Sequence, residues 1–210
     1  MNATAYAPHD LLVASADAFV FADDSPPAWV RDSLSRWPWA VVRRAQDRGA
    51  AAPVGVRGAT RGERYAAWLP LCAVTACVRP EHLTADRAWL RATRARALPH
   101  FDALNRVEQI MEQFGLKWGP VGAMGYELAS GRPCLTQDSD IDIIVRVPVP
   151  FTRTQARALL AAFAALQPRI DAQLEATAGA FALAEFIQDC GEVVLRTAYG
   201  PRRVADPWHG

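Results

Sequence analysis

The amino-acid sequence predicts an α+β protein in two parts: a small N-terminal domain built on an antiparallel sheet, then an α/β unit whose mixed sheet is flanked by helices. Three observations carry this expectation. The first part of the chain alternates short apolar runs with turn signals, as strands joined by tight connections do. From Pro99 onward, segments of helical period alternate with strand-like runs, the pattern of a layered α/β unit. The 210 residues suffice for one large core or two small ones.

In chain order, Pro27 to Trp37 reads as a short helix, with Ser25 as its N-cap and proline in the first turn. WAVVRR from Trp39, PVGVRG from Pro53 and RYAAWLP from Arg64 read as the strands of the first sheet. The arginine- and alanine-rich stretch from Pro80 to Leu98 has helical character and links the two parts, so the domains are expected to span residues 1–85 and 86–210. Beyond it, Phe101, Leu104, Val107, Ile110, Met111 and Phe114 recur at helical spacing, and Gly115 supplies the stop. KWGPVGAMGYELASG then reads as strand, glycine turn and short helix, and DSDIDIIVRV as an apolar strand entered through acids. Thr152 to Leu166 follows as a helix, RIDAQLE as another strand, Phe181 to Ile187 as helix, and VVLRT from Val193 as a last strand.

Composition excludes several classes of function. Hydrophobic residues make up 51% of the chain and charged residues 21%, the balance of a soluble globular enzyme. A net charge of +1 gives no global attraction to nucleic acid, so any anion site is local. Every basic residue except Lys117 is arginine, which fits genomic base composition better than selection for phosphate recognition. The opening MNATAYAPHDLL lacks the form of a secretory signal, and no apolar stretch reaches membrane-spanning length. A cytoplasmic protein with no membrane partner is therefore expected. Cys72, Cys77, Cys134 and Cys190 have no paired metal spacing and are expected as buried or half-buried thiols. His9, His82, His100 and His209 fall into no zinc pattern, which disfavours a zinc enzyme.

The strongest local feature is DSDIDIIVR. Side chains two apart on a strand face the same way, so Asp140 and Asp142 project together while Ile141, Ile143 and Val145 face the packed side. Adjacent carboxylates repel unless a cation lies between them, and hard oxygen ligands suit Mg2+ or Mn2+, which also bind substrate phosphates. An isolated D-x-D more often just marks a solvated strand entrance, so context decides. One part of that context is the turn Gly122-Ala123 between strand and helix, which offers backbone N–H groups and a positive helix end to a phosphate chain. Gly119, Gly122 and Gly125 also read as ordinary turn or packing glycines. The other part is Asp171 in RIDAQLE, on a strand one helix later, which a parallel pairing would set beside Asp140 and Asp142. The bland alternative for Asp171 is the exposed face of an edge strand.

A glycine turn before a helix, a D-x-D strand and a third acid on a later strand, in that order, resemble the nucleotidyltransferase superfamily. The resemblance sharpens with GPVGAMGYELASG, SDIDIIVR, RIDAQLE, GAFALAEF and the closing DPW, which are similar to the phosphoribosyl-dephospho-CoA transferases of malonate decarboxylase. It extends to the N-terminal part through HDLL, PAWVRDSL, WAVVRR, PVGVRG and RYAAWLP. The resemblance implies a nucleotidyltransferase fold for the second domain. It implies 2′-(5″-triphosphoribosyl)-3′-dephospho-CoA as donor, a serine of the decarboxylase's acyl carrier protein as acceptor, and pyrophosphate as leaving group. Ala123 stands where many members of the superfamily carry a serine, so a hydroxyl ligand to the phosphates is lacking there.

On this reading Asp140 and Asp142 hold Mg2+ (or Mn2+) on the triphosphate, and Asp171 completes the metal site and assists the carrier serine. Gly122 and Ala123 contact phosphate. Lys117, Arg132, Arg146 and Arg196 are further phosphate candidates, each as readily explained as a surface cation. Residues 31–64 carry eight arginines against three acids, a local balance of +5 that suits a docking or CoA-binding surface and equally a charge-protected sheet edge. The alternatives are an adenylyltransferase, the carrier-priming enzyme of citrate lyase, and a non-catalytic nucleotide-binding regulator.

Overall fold

A computed structural model of the protein describes residues 6–23, 25–60, 62–94, 97–188 and 191–209. Two residues singled out in the sequence, Arg61 and Cys190, lie outside the described residues. The chain divides into two compact units, Met1–Arg79 and Pro80–Gly210.

The first unit contains β1 (Leu11–Val13), β2 (Val20–Phe21), α1 (Ala28–Arg36), β3 (Trp39–Val42), β4 (Ala51–Arg57), β5 (Arg64–Pro70) and β6 (Ala76–Val78). Its sheet runs β2-β5-β4-β3-β1-β6, with every neighbouring pair antiparallel. Alternation places Ala40, Val42, Val54, Val56, Ala67 and Leu69 in one core with Val30 and Leu34 of α1. Pro27 occupies the N-cap of α1, and no side chain caps it. Ser25 stands two residues too early, because an N-cap side chain serves N–H groups only two or three residues onward. Of the arginines in the basic stretch, Arg48 lies over the Trp68 ring at 5.0 Å and Arg31 over Phe21 at 5.7 Å, so both are held by aromatic faces.

The second unit contains α2 (Pro80–Ala85), α3 (Pro99–Phe114), β7 (Trp118–Pro120), α4 (Gly122–Ser130), β8 (Ile141–Arg146), α5 (Arg153–Ala164), β9 (Ile170–Ala176), β10 (Gly179–Ala182), α6 (Leu183–Phe186), β11 (Val193–Thr197) and β12 (Gly200–Val204). Its sheet order is β12-β11-β10-β9-β8-β7, and only β8 and β9 run parallel. That pair requires a crossover, which α5 supplies. A capping box between Thr152 and Gln155 starts α5 where the sequence places its beginning. Gly115, at φ 64°, ends α3.

The division between the two units falls before α2, whereas the sequence reading put it after residue 85. The cause is packing: a Cβ on Gly119 of β7 would collide with Pro80, and Leu83 lies beside Gly125 of α4, so α2 is seated on the second unit. The stretch from Pro80 to Leu98 is also less helical than expected. After α2 the described residues of this stretch make only a 3-10 turn at Ala88–Arg91, entered through Arg87 at φ 45°. Trp89 explains the break, since it is 1% exposed and donates its indole N–H to Asn105 of α3 at 2.8 Å. Its burial outweighs the local helical preference.

One face of the sheet carries Ile141, Ile143, Val145, Ala172 and Leu174 into a core shared with Leu104 and Val107 of α3 and Leu159 and Phe163 of α5. The opposite face carries Asp142, Ile144 and Arg146 of β8, which pair in register with Asp171, Gln173 and Glu175 of β9. Pro80 of α2 and Gly122 of α4 approach that face, and Ile144 is fully buried in it. The closing DPW seals the far end of β8: Trp208 donates to the carbonyl of Val147 at 2.8 Å and packs edge-on against Phe181 and Phe186. Asp206 accepts from His209 and from the Trp208 N–H, and the His209 hydrogen bond holds its carboxyl below the usual range. No helix is long and apolar enough to cross a membrane among the described residues.

Cys72 is exposed, against the expectation of a sheltered thiol, while Cys77 and Cys134 are half-buried. Burial, with a contribution from Asp10, pushes the Cys77 thiol up, which lowers its thiolate fraction.

Candidate active site

The three acids occupy the ends of β8 and β9 that lie nearest one another. Parallel pairing sets Asp142 directly across from Asp171, one strand spacing of about 4.8 Å away along the main chain. Asp140 precedes β8, and the chain beside it is pinned where the Ile141 N–H donates to the Arg169 carbonyl at 2.9 Å. All three carboxylates therefore belong to one rim, with Asp142 half-buried and the side chains of Asp140 and Asp171 45% and 44% exposed.

Gly122 closes this rim from above. It has φ +61°, and a Cβ built on it would overlap the Asp142 carboxylate. The neighbouring Val121 N–H donates to the Asp142 carbonyl at 2.9 Å, which locks the entry of α4 onto β8. The turn thus places Gly122, the first residue of α4, against the Asp142 carboxylate, with Ala123 next in the helix, and the helix directs its positive end there. Gly119 and Gly125 have the other role weighed for them: a side chain on either would collide with the backbone of Pro80 or Pro120, so they are packing glycines.

Arg169 is the residue the sequence reading missed. Its guanidinium lies 3.5 Å from the Asp140 carboxylate and 3.8 Å from that of Asp171. The signal was legible, since Arg169 stands two residues before Asp171 and so shares its face. Among the described residues, no three His, Cys, Asp or Glu side chains close on a common point ready to hold a metal ion. The fit to Mg2+ or Mn2+ is one of donor chemistry. Carboxylate oxygens on one rim are the ligands such ions take, and a protein cation already stands between two of them.

Three of the four further phosphate candidates, Lys117, Arg146 and Arg196, lie away from the acids. Arg146 is at the opposite end of β8, paired with Glu81 at 2.5 Å and Glu175 at 3.9 Å, and the Lys117 carbonyl accepts its N–H there. Sequence proximity misled because a strand carries its two ends roughly 3.3 Å per residue apart. Arg132 is 8% exposed, and Arg196 sits on β11, beyond β9 and β10 from the acids.

A buried carboxylate supports the rim from behind. Glu127 of α4, 6% exposed, accepts from the N–H groups of Cys134 at 2.7 Å and Leu135 at 2.9 Å, and pairs with Arg94 at 3.2 Å. It ties the segment leading back toward Asp140 to the helix that begins at Gly122. Charge-assisted bonds of this kind are the strong ones. Nothing in the sequence alone distinguished Glu127 from a surface acid.

Comparison with known proteins matches the chain to one family over both units. A family model described as the phosphoribosyl-dephospho-CoA transferase MdcG C-terminal domain matches residues 86–207, and one described as the N-terminal domain of the same transferase matches residues 7–80. A phosphoribosyl-dephospho-CoA transferase of Pseudomonas aeruginosa is 40% identical over 202 residues, covering 96% of this chain and 93% of its own. One from Azotobacter vinelandii is 43% identical over 207 residues, with the same coverage of 96% and 93%. No solved structure matches the chain significantly.

Proposed function

The chain belongs to the phosphoribosyl-dephospho-CoA transferase family and is a transferase, and from that premise we propose the finer reaction. It moves the 2′-(5″-phosphoribosyl)-3′-dephospho-CoA group from 2′-(5″-triphosphoribosyl)-3′-dephospho-CoA to a serine of the malonate decarboxylase acyl carrier protein, in the cytoplasm. The observation that carries the chemistry is the register that sets Asp142 across from Asp171, with Asp140 on the same rim.

The serine oxygen forms a bond to the α-phosphorus as the bond to the bridging oxygen of the pyrophosphate breaks. The product is a phosphodiester, and pyrophosphate leaves with the electron pair. Asp171, across from Asp142 on the neighbouring strand, takes the hydroxyl proton. Asp140 and Asp142 would hold Mg2+ or Mn2+, and when bound the ion neutralises the triphosphate and the charge that builds on the leaving group. The Gly122-Ala123 turn orients the phosphate chain through main-chain N–H groups, which suits a site without a serine hydroxyl at Ala123. Phosphoryl transfer asks for positioning and charge neutralisation more than covalent participation, which is what this rim supplies.

The test is intact-mass measurement of purified carrier proteins after incubation with the enzyme, the triphosphate donor and Mg2+. The malonate decarboxylase carrier gains the mass of the phosphoribosyl-dephospho-CoA group, with release of one equivalent of pyrophosphate. An unmodified malonate decarboxylase carrier beside a modified citrate lyase carrier overturns the assignment of acceptor. AMP on either protein overturns the assignment of donor.

Arg169 makes a second expectation quantitative. As an exposed counter-ion contributing about 1 kcal/mol or less, it competes with a divalent cation for the same carboxylates. Arg169→Gln therefore binds Mn2+ more tightly, by up to about fivefold, as read from the electron-paramagnetic signal of the unbound ion. Equal or weaker affinity in the variant shows that the guanidinium does not compete for the metal.

A further inference from the structure

The histidine at the second position of α3 is a titratable side chain of the second unit that the chemistry above does not use. His100 is fully buried, and its Nε2 lies 2.7 Å from the carbonyl oxygen of Ser139. A carbonyl only accepts, so Nε2 carries the hydrogen. The other ring nitrogen, Nδ1, is buried with no hydrogen-bond partner. An unpaired buried polar atom is destabilising, and an apolar residue of similar size in this position would avoid the cost. What the histidine provides in exchange is the bond from Nε2.

That bond acts on the peptide that carries Asp140. Ser139 ends a turn in which its N–H donates to the Thr136 carbonyl at 3.2 Å and its hydroxyl oxygen accepts from the Thr136 N–H at 3.0 Å. The turn is thus closed on itself, and His100 fixes the direction of its last carbonyl. On the other side of Asp140, the Ile141 N–H is held by the Arg169 carbonyl at 2.9 Å. Asp140 precedes the regular strand, its side chain is 45% exposed, and it pairs with an exposed arginine, Arg169. Little in the immediate surroundings of the carboxylate fixes where it points. The planes of the two flanking peptides set its direction, and His100 holds the first of them.

We propose that His100 is a positioning residue for Asp140, orienting the Ser139–Asp140 peptide so that the Asp140 carboxylate faces the rim shared with Asp142 and Asp171. The proposal rests on the reading of Asp140 as a metal-holding acid. Displacing a group in such a site by about 1 Å costs on the order of 100-fold in rate, so a residue that never touches substrate has a measurable effect.

The experiment compares His100→Phe and His100→Leu, which lack the donor, with His100→Gln, whose terminal amide can place an N–H near the position of Nε2. Each folded protein is measured for thermal midpoint, Mn2+ affinity by electron paramagnetic resonance, and kcat. The donorless variants keep a thermal midpoint close to that of the unaltered protein, bind Mn2+ about tenfold more weakly, and lose between about 10- and 100-fold in kcat. His100→Gln recovers most of both. Mn2+ affinity unchanged in the donorless variants, or reduced equally in all three, overturns the proposal. Should the donorless variants fail to fold, the unaltered protein labelled with 15N serves: the His100 Nε2–H resonance shifts on titration with Mg2+, and a resonance unmoved at saturation overturns it. Asp140→Asn is the control that separates the two readings. If that variant binds Mn2+ normally, the role assigned to Asp140 fails; if it binds weakly while His100→Phe binds normally, only the positioning role fails.

Discussion

Asp142→Asn lowers transfer by about 10³-fold or more in a protein that remains folded. Asparagine has the shape of aspartate and leaves the main-chain bond from Val121 to the Asp142 carbonyl in place, so the entry of α4 is still locked to β8. What it removes is the negative charge that sits across from Asp171 and beneath Gly122. An amide is a poor ligand for a hard divalent cation, and several kcal/mol of charge stabilisation depend on that ion, which is where the factor of about 10³ comes from. Asp140→Asn and Asp171→Asn act in the same direction. Steady-state transfer to the carrier protein at saturating Mg2+, with circular dichroism to establish folding, measures the effect. Turnover within a few-fold of normal in folded Asp142→Asn makes these acids a solvated strand entrance and no more.

Gly122→Ala is expected to have the next largest effect, through geometry alone. The added methyl would overlap the Asp142 carboxylate, and at φ +61° an L-residue is also strained, by about 1–2 kcal/mol. Either the carboxylate swings away or the first turn of α4 lifts off the rim, and both misplace the glycine turn relative to the acids. A displacement of about 1 Å accounts for roughly a 100-fold fall in kcat. Gly131→Ala is the control, since that glycine also has positive φ, at 72°, but has open space around its Cβ position. It carries the backbone strain without the collision. Similar losses of thermal stability in the two variants with loss of turnover only in Gly122→Ala assign the effect to the carboxylate. Equal turnover in both shows that Gly122 serves the turn and nothing else.

Much of this site could be read before the fold was known. Alternation along DSDIDIIVR places Ile141, Ile143 and Val145 together, and the three are fully buried in one core. The helical spacing from Phe101 to Phe114 and the glycine after it correspond to α3 and its stop at Gly115. Strands of two or three residues, such as β1, β2 and β6, were missed because a period needs more residues than that to declare itself. For β12 the run GPRRV is polar and mostly exposed, so hydrophobic patterning carries no trace of it.

The sequence by itself determined the two-part α+β class, the acids and the glycine turn, because these depend on local period, residue chemistry and spacing along the chain. Only the tertiary structure decided which of them meet. The parallel register that opposes Asp142 to Asp171 depends on α5 packing against the sheet, and the approach of Gly122 to Asp142 depends on how α4 folds back over β8. The same is true of the groups around the acids. Arg146 is drawn to the far end of the strand by Glu81 and Glu175, while Arg169 stands at the rim. His100 reaches Ser139 from 39 residues away in the chain. Contacts between residues so far apart are set by the burial of the whole core, which no local window of sequence contains.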